Sequence, residues 1–233
     1  MNTLEGDAGV LMRLMELSDS AFPVGGFSFS SGLETAAACG MVTDAATLEE
    51  FASTAVESAA QSDAVASIAA FRAAHNCDYD TVAEADMRVL LSKLNAESRS
   101  MSLRMGHKMT SLAAQIFSGA VLERWAAEVT SGTMAGTFAV AQAVAAEAAG
   151  VDERSLFAMQ LYSAAQTVLN AALRCVRVSH IDTQRILCAL SYKAEGMYAE
   201  ARTKGLDDMQ LFAPQTDILF SLHEKGNQRM FMN

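Results

Sequence analysis

DAATLEEFASTAVESAA, residues Asp44 to Ala60, is the stretch that decides the fold class of this chain. Leu48, Phe51, Ala52, Ala55, Val56 and Ala59 recur at three- and four-residue steps, which gathers them on one face of a helix. Asp44 stands where its carboxylate can accept a hydrogen bond from an unpaired N–H of the first turn, so it caps the start. A strand would need strict alternation of apolar and polar residues, and no convincing alternation occurs anywhere in the chain.

The same period extends outward. Met101, Met105, Leu112 and Ile116 mark a second stripe, with Arg99, Arg104 and Lys108 largely off it. Ser179 followed by Asp182 resembles a capping box, opening a helix through Ile186, Leu187 and Leu190. Gly40 and Gly150 fall where C-terminal caps belong. Only Pro23 and Pro214 could interrupt helices, and both lie near the ends. With no repeat of fixed period and no linker-like composition, the reading is all-α: a single-domain helical bundle of about eight to ten helices. That domain covers residues 1–233, and 206–233 form a C-terminal tail.

Two long stretches lack charge, Val129 to Ala146 and Ser155 to Leu173. Length alone would allow a membrane span. The first is mostly Ala, Gly and Thr, and the second contains Gln160, Ser163, Gln166, Thr167 and Asn170, so both read as central helices of a bundle. The run SGTMAGTFAVAQAVAAEAAG, Ser131 to Gly150, carries side chains small enough for neighbouring backbones to approach closely. No basic segment precedes the first apolar run, where Glu5 and Asp7 stand instead, so no secretory signal is visible and the expected compartment is the cytoplasm.

Seventeen basic against 27 acidic residues give a net charge of −10, which repels phosphate backbones and argues against nucleic acid as a partner. Cys39, Cys77, Cys175 and Cys188 are scattered without a CxxC pair, so lone buried thiols are expected and a disulfide framework is not. A catalytic reading finds little to build on. There is no G-x-x-x-x-G-K-[ST] loop, and Gly25-Gly26 is followed by no lysine and hydroxyl in register. His75, His107, His180 and His223 are far apart and form no H-E-x-x-H or H-x-H signature. The chain therefore reads as one that works by binding other proteins.

Two segments stand out. LMELSDSAFPVGGFSFSSGLE, within Leu11 to Glu34, runs from an apolar helix through Ser18-Asp19-Ser20 into a rigid Pro and two permissive glycines. It is either a helix–helix connector whose aromatics tuck into the core or a recognition loop. The C-terminal FAPQTDILFSLHEKGNQRMFMN, Phe212 to Asn233, turns polar at HEKGNQ and ends on Arg229-Met230-Phe231-Met232. An apolar end of this kind either folds back on the bundle or inserts into a partner.

These segments resemble the UreF family of urease accessory proteins. The family pattern Pro-[IV]-Gly-Gly-[FY]-Ser-x-Ser-x-Gly-Leu-Glu is matched by P-V-G-G-F-S-F-S-S-G-L-E, Pro23 to Glu34, with Pro23, Gly25, Gly26, Phe27 and Glu34 its marked positions. The closing Pro…His-Glu…Arg-[LM]-Phe pattern is matched by Pro214, His223, Glu224, Arg229, Met230 and Phe231. ESRSMSLRMGHKM (Glu97 to Met109) and NAALRCVRVSHIDTQRIL (Asn170 to Leu187) resemble the family's middle helices. The chain departs from the pattern at Phe29, where relatives often carry His or Trp. It departs again at Arg177-Val178-Ser179-His180, where they read Pro-x-Gly-Gln.

The resemblance implies a helical homodimer that is not an enzyme. It implies a bridge between the scaffold protein UreD (also called UreH) and the GTPase UreG on the urease apoprotein during nickel insertion, with a possible hold on GTP hydrolysis. Nickel and GTP would be handled by those partners, with no cofactor bound directly. By analogy Arg174, His180 and Gln184 face the GTPase, and His223, Glu224, Arg229, Met230 and Phe231 face the scaffold, the tail gaining order there. Glu34 reads as a local cap or pairing residue. The rival expectations are a nickel carrier using His180 and Cys188, and an enzyme whose site is assembled from distant helices.

Overall fold

A computed structural model describes residues 7–210, 213–224 and 230–231. Twelve α-helices and two short 3-10 turns make up the regular structure of these residues. The all-α expectation holds. The count exceeds eight to ten because short helices, such as α2 (Leu33–Ala38) and α11 (Ala194–Ala201), were not separable by periodicity, which needs several turns to declare itself.

The quoted stretch is α3 (Ala45–Gln61), and Asp44 caps it with a full capping box shared with Thr47. Leu48, Ala52, Val56 and Ala60 are buried along one face. α4 (Asp63–His75) follows almost without interruption, its start marked by Ser62, whose hydroxyl bonds back to the Ser58 carbonyl at 2.7 Å. The long α9 (Glu153–Cys175) packs along α3 and α4, and Asp152 accepts from the Ser155 N–H to begin it. Between α4 and α6 (Ala96–Ile116) lies α8 (Phe138–Ala148), in which every residue from 139 to 146 is buried. A helix apolar all round belongs at the centre of a bundle. No helix among the described residues is long and apolar enough to cross a membrane.

The small-residue run packs as tightly as expected. A methyl group at Gly106 of α6 would overlap the Gly136 carbonyl oxygen, so α6 and the loop before α8 touch backbone to backbone. Gly136 itself has φ +76°, a conformation that disfavours a side chain. Asp86 of α5 (Tyr79–Ser92), 2% exposed, closes this junction. Its carboxylate accepts from the Gly136 N–H (2.9 Å), the Thr137 N–H (2.7 Å) and the Thr137 hydroxyl (2.6 Å).

Several local expectations hold and others are corrected. Gly40 and Gly150 have φ of +70° and +74° at helix ends, and Ser179 and Asp182 form their capping box at α10 (His180–Ser191). The α6 stripe is shifted: Ser98, Ser102, Met105, Met109 and Ala113 are buried, while Ile116 is exposed. Small residues share the inner face with Met105 and Met109, and Gly106 is where the backbone before α8 comes into contact. The cysteines are not all buried thiols: Cys39, Cys77 and Cys188 are exposed and only Cys175 is partly covered.

Candidate functional site

The family-pattern loop leaves α1 (Ala8–Ser18) and reaches α2 through one 3-10 turn, Gly26–Ser28. Gly25 and Gly32 take φ of +83° and +80°, and Ser31 joins them at +54°, so the chain reverses in steps that most residues resist. The connector reading of the loop is realised in part. Phe22 and Phe29 tuck into the interior, whereas Phe27 is 64% exposed.

The last of these turns places Glu34 in the first turn of α2, and α12 (Pro214–Glu224) packs against that helix. Leu219 and Phe220 bury the inner face of α12, which carries His223 inward to 4% exposure. There the imidazole lies between two carboxylates: Nε2 is 3.0 Å from Glu34 Oε2 and Nδ1 is 2.9 Å from Glu97 Oε2. Each ring nitrogen thus lies within hydrogen-bonding distance of a different carboxylate, one from α2 and one from α6. Glu224, the neighbouring residue, faces elsewhere and accepts from the N–H groups of Ala96 (2.9 Å) and Glu97 (3.2 Å), capping the N-terminus of α6.

Glu34 also holds the end of the chain. Its Oε1 accepts from the Met230 N–H at 2.7 Å and its Oε2 from the Phe231 N–H at 3.1 Å. Burial pushes the Glu34 carboxyl upward, but the Met230 N–H, His223 and the Phe231 N–H outweigh it and leave the group below its ordinary value. Phe231 is 5% exposed, with the Arg174 guanidinium 5.0 Å from its ring centre. The same guanidinium donates to the Phe27 carbonyl at 3.5 Å. Beside this cluster, burial and the Glu34 charge push the Cys175 thiol up to about 11, far from a reactive thiolate.

Residues expected on two separate faces thus converge. Arg174, on the GTPase side of the sequence reading, touches Phe231, on the scaffold side, and both are tied to the Pro23–Glu34 loop. Glu34 does not pair locally as expected; its partners lie 189 to 197 positions away. His180 and Gln184 stand exposed on α10 and share no hydrogen bond or ion pair with the cluster. Met230 is 60% exposed, and Arg229 lies outside the described residues. Sequence reading passed over Glu97, although it opens one of the segments quoted above. A lone glutamate in the first turn of a helix gives no sign that a histidine 126 positions later will need it.

The cluster combines an aromatic–arginine contact, exposed Met230 and Phe27 side chains, and a carboxylate that accepts from the Met230 and Phe231 N–H groups. No group of three or more His, Cys, Asp or Glu side chains among the described residues is arranged to hold a metal ion. Fold and site together define an all-helical protein in which residues far apart in sequence meet at one surface cluster.

Comparison with known proteins makes the class specific. The UreF family profile matches residues 42–191. The chain is 43% identical over 223 residues to urease accessory protein UreF 2 of Brucella canis, covering 96% of this chain and 92% of that one. It is 40% identical to urease accessory protein UreF of Photorhabdus laumondii (96% and 98% covered) and 38% identical to that of Yersinia enterocolitica (97% and 100%). The chain belongs to the UreF family of urease accessory proteins.

Proposed function

We propose that this protein serves nickel insertion into urease as a cytoplasmic homodimeric adaptor, bridging a UreD/UreH-type scaffold and a UreG-type GTPase on the urease apoprotein. In this reading nickel and GTP are bound by the partners, and the chain contributes surfaces and no reaction of its own. Family membership supports the link to urease. The observation that carries the bridging role is the Glu34 cluster, which joins Arg174, the Pro23–Glu34 loop and the chain end through direct contacts. A partner that takes hold of Met230 and Phe231 necessarily disturbs Arg174, so occupancy of one docking face alters the other. The tail gains further order on the scaffold, which offsets its lost freedom by burying the Met230 side chain. His180 and Gln184 extend the GTPase-facing surface along α10.

Co-purification of the full chain with scaffold, GTPase and urease subunits, with and without GTP, tests this. Truncation after Gln210 abolishes scaffold capture, and Arg174→Ala weakens GTPase recruitment while the scaffold remains bound. Undiminished capture of both partners by both variants would overturn the reading.

A further inference from the structure

Glu97 stands in the first turn of α6, 8% exposed, behind the residues that hold the chain end. Both of its carboxylate oxygens approach one ring nitrogen of His223, Nδ1, at 3.1 and 2.9 Å. The opposite nitrogen, Nε2, meets Glu34 Oε2 at 3.0 Å. That same oxygen accepts the Phe231 N–H at 3.1 Å, while Glu34 Oε1 accepts the Met230 N–H at 2.7 Å. Glu97, His223, Glu34 and the chain end therefore stand in series.

The series has a fixed end and a loose one. α6 is locked at Gly106, where the backbone before α8 touches it. Glu34 sits on a helix of only six residues, and its side chain turns about several torsions. An imidazole held from one side only can rotate about its outer torsion and turn a carbon edge toward Glu34. At 4% exposure the ring has no ready supply of water to replace a lost contact. Glu97 thus fixes the ring, the ring fixes the Glu34 carboxylate, and the carboxylate fixes Met230 and Phe231. α12 itself does not depend on the Glu97 side chain. It is held by the buried Leu219 and Phe220, and its Glu224 accepts from the backbone N–H groups of Ala96 and Glu97, which a change of side chain leaves in place. We propose, on the reading of the chain end as a docking element, that Glu97 is a positioning residue for docking. Acting through His223, it sets the Glu34 carboxylate that holds the chain end for a partner protein.

Amide hydrogen exchange of the isolated full-length protein reads the positioning directly. In Glu97→Ala, exchange at Met230 and Phe231 is expected to speed about tenfold or more, with Leu219 and Phe220 of α12 unchanged. Glu97→Gln should keep protection within about twofold of the parent protein, because an amide both donates and accepts and so holds the ring in either tautomer. In a His223→Leu background, Glu97→Ala should add nothing further. Should Glu97→Ala prove insoluble, Glu97→Leu puts the same question. Unchanged exchange at Phe231, equal loss in Glu97→Gln, loss spreading through α12, or full additivity with His223→Leu would each overturn the assignment. Co-purification with the scaffold separates this role from the docking reading. Glu97→Ala should weaken capture several-fold, since the chain end must then be ordered on binding. Release of Phe231 with capture unchanged would sink the docking reading and leave the positioning role standing; Phe231 held in Glu97→Ala would sink the positioning role alone.

Discussion

Asp86 and Glu34 are both carboxylates that accept two backbone N–H groups from a distant part of the chain, yet they sit in regions of opposite character. Asp86 binds the loop before α8, where both flanks are held by helices and Gly106 leaves no space for movement. Glu34 binds the Met230 and Phe231 N–H groups near the end of the chain, beside the exposed Phe27 and Met230 side chains. The first junction cannot open without unfolding the centre of the bundle. We expect the second to release its partners while α2 stays folded. The surroundings, more than the chemistry of the acceptor, distinguish the two contacts: one lies inside the close-packed centre, the other beside exposed side chains.

Substitutions at the two regions should therefore fail in different ways. Gly106→Ala has the largest expected effect, because its methyl group would collide with backbone that cannot rotate away. We expect a loss of about 4 kcal/mol or more, read as a collapse of the denaturation midpoint or as insoluble protein. Asp86→Ala should follow with about 3 kcal/mol, since it leaves the Gly136 and Thr137 N–H groups buried without an acceptor. Both changes should lower global stability; a local effect confined to the α8 loop would break the contrast drawn above.

Glu34→Gln should cost less and act locally, about 1–3 kcal/mol in docking of the chain end. Hydrogen exchange at Phe231 would rise while exchange in α8 stayed unchanged. Acidification sharpens the same distinction. Because the folded-state value of Glu34 is depressed, its contribution is fully present above the ordinary value of 4.5 and is lost as pH falls through the lower folded value. Acid titration below 4.5 should thus release the chain end, followed by the Phe231 ring signals in an NMR titration. The smallest effect is expected for Arg174→Ala, about 0.5–1 kcal/mol of chain-end docking from the loss of the guanidinium–Phe231 contact.

Some local signals were legible where a side chain acts within a few residues of itself, though the caps at Asp7, Asp78, Asn95 and Asp152 were passed over. The Asp44 and Ser179 caps and the glycine helix ends follow from backbone groups that must be satisfied on the spot. Family membership was legible too, in the Pro23–Glu34 pattern. Where sequence reading strayed, a neighbour from another helix had decided the outcome. Ile116 belongs to a helical stripe by spacing but faces outward, because α8 meets α6 along its serine and glycine face. The cysteines looked like interior residues by type, and three of the four lie at helix ends or on outer faces instead.

The order of residues thus determined by itself that this protein is helical, where a few of its helices begin or end, and which family it belongs to, since these rest on spacing, capping and motif. Only the tertiary structure brought Glu34, Glu97, Arg174, His223 and Phe231 into one cluster. Contacts across more than a hundred positions leave no periodic trace in a chain; they exist only once α2, α6, α9 and α12 have packed and fixed the distances between side chains.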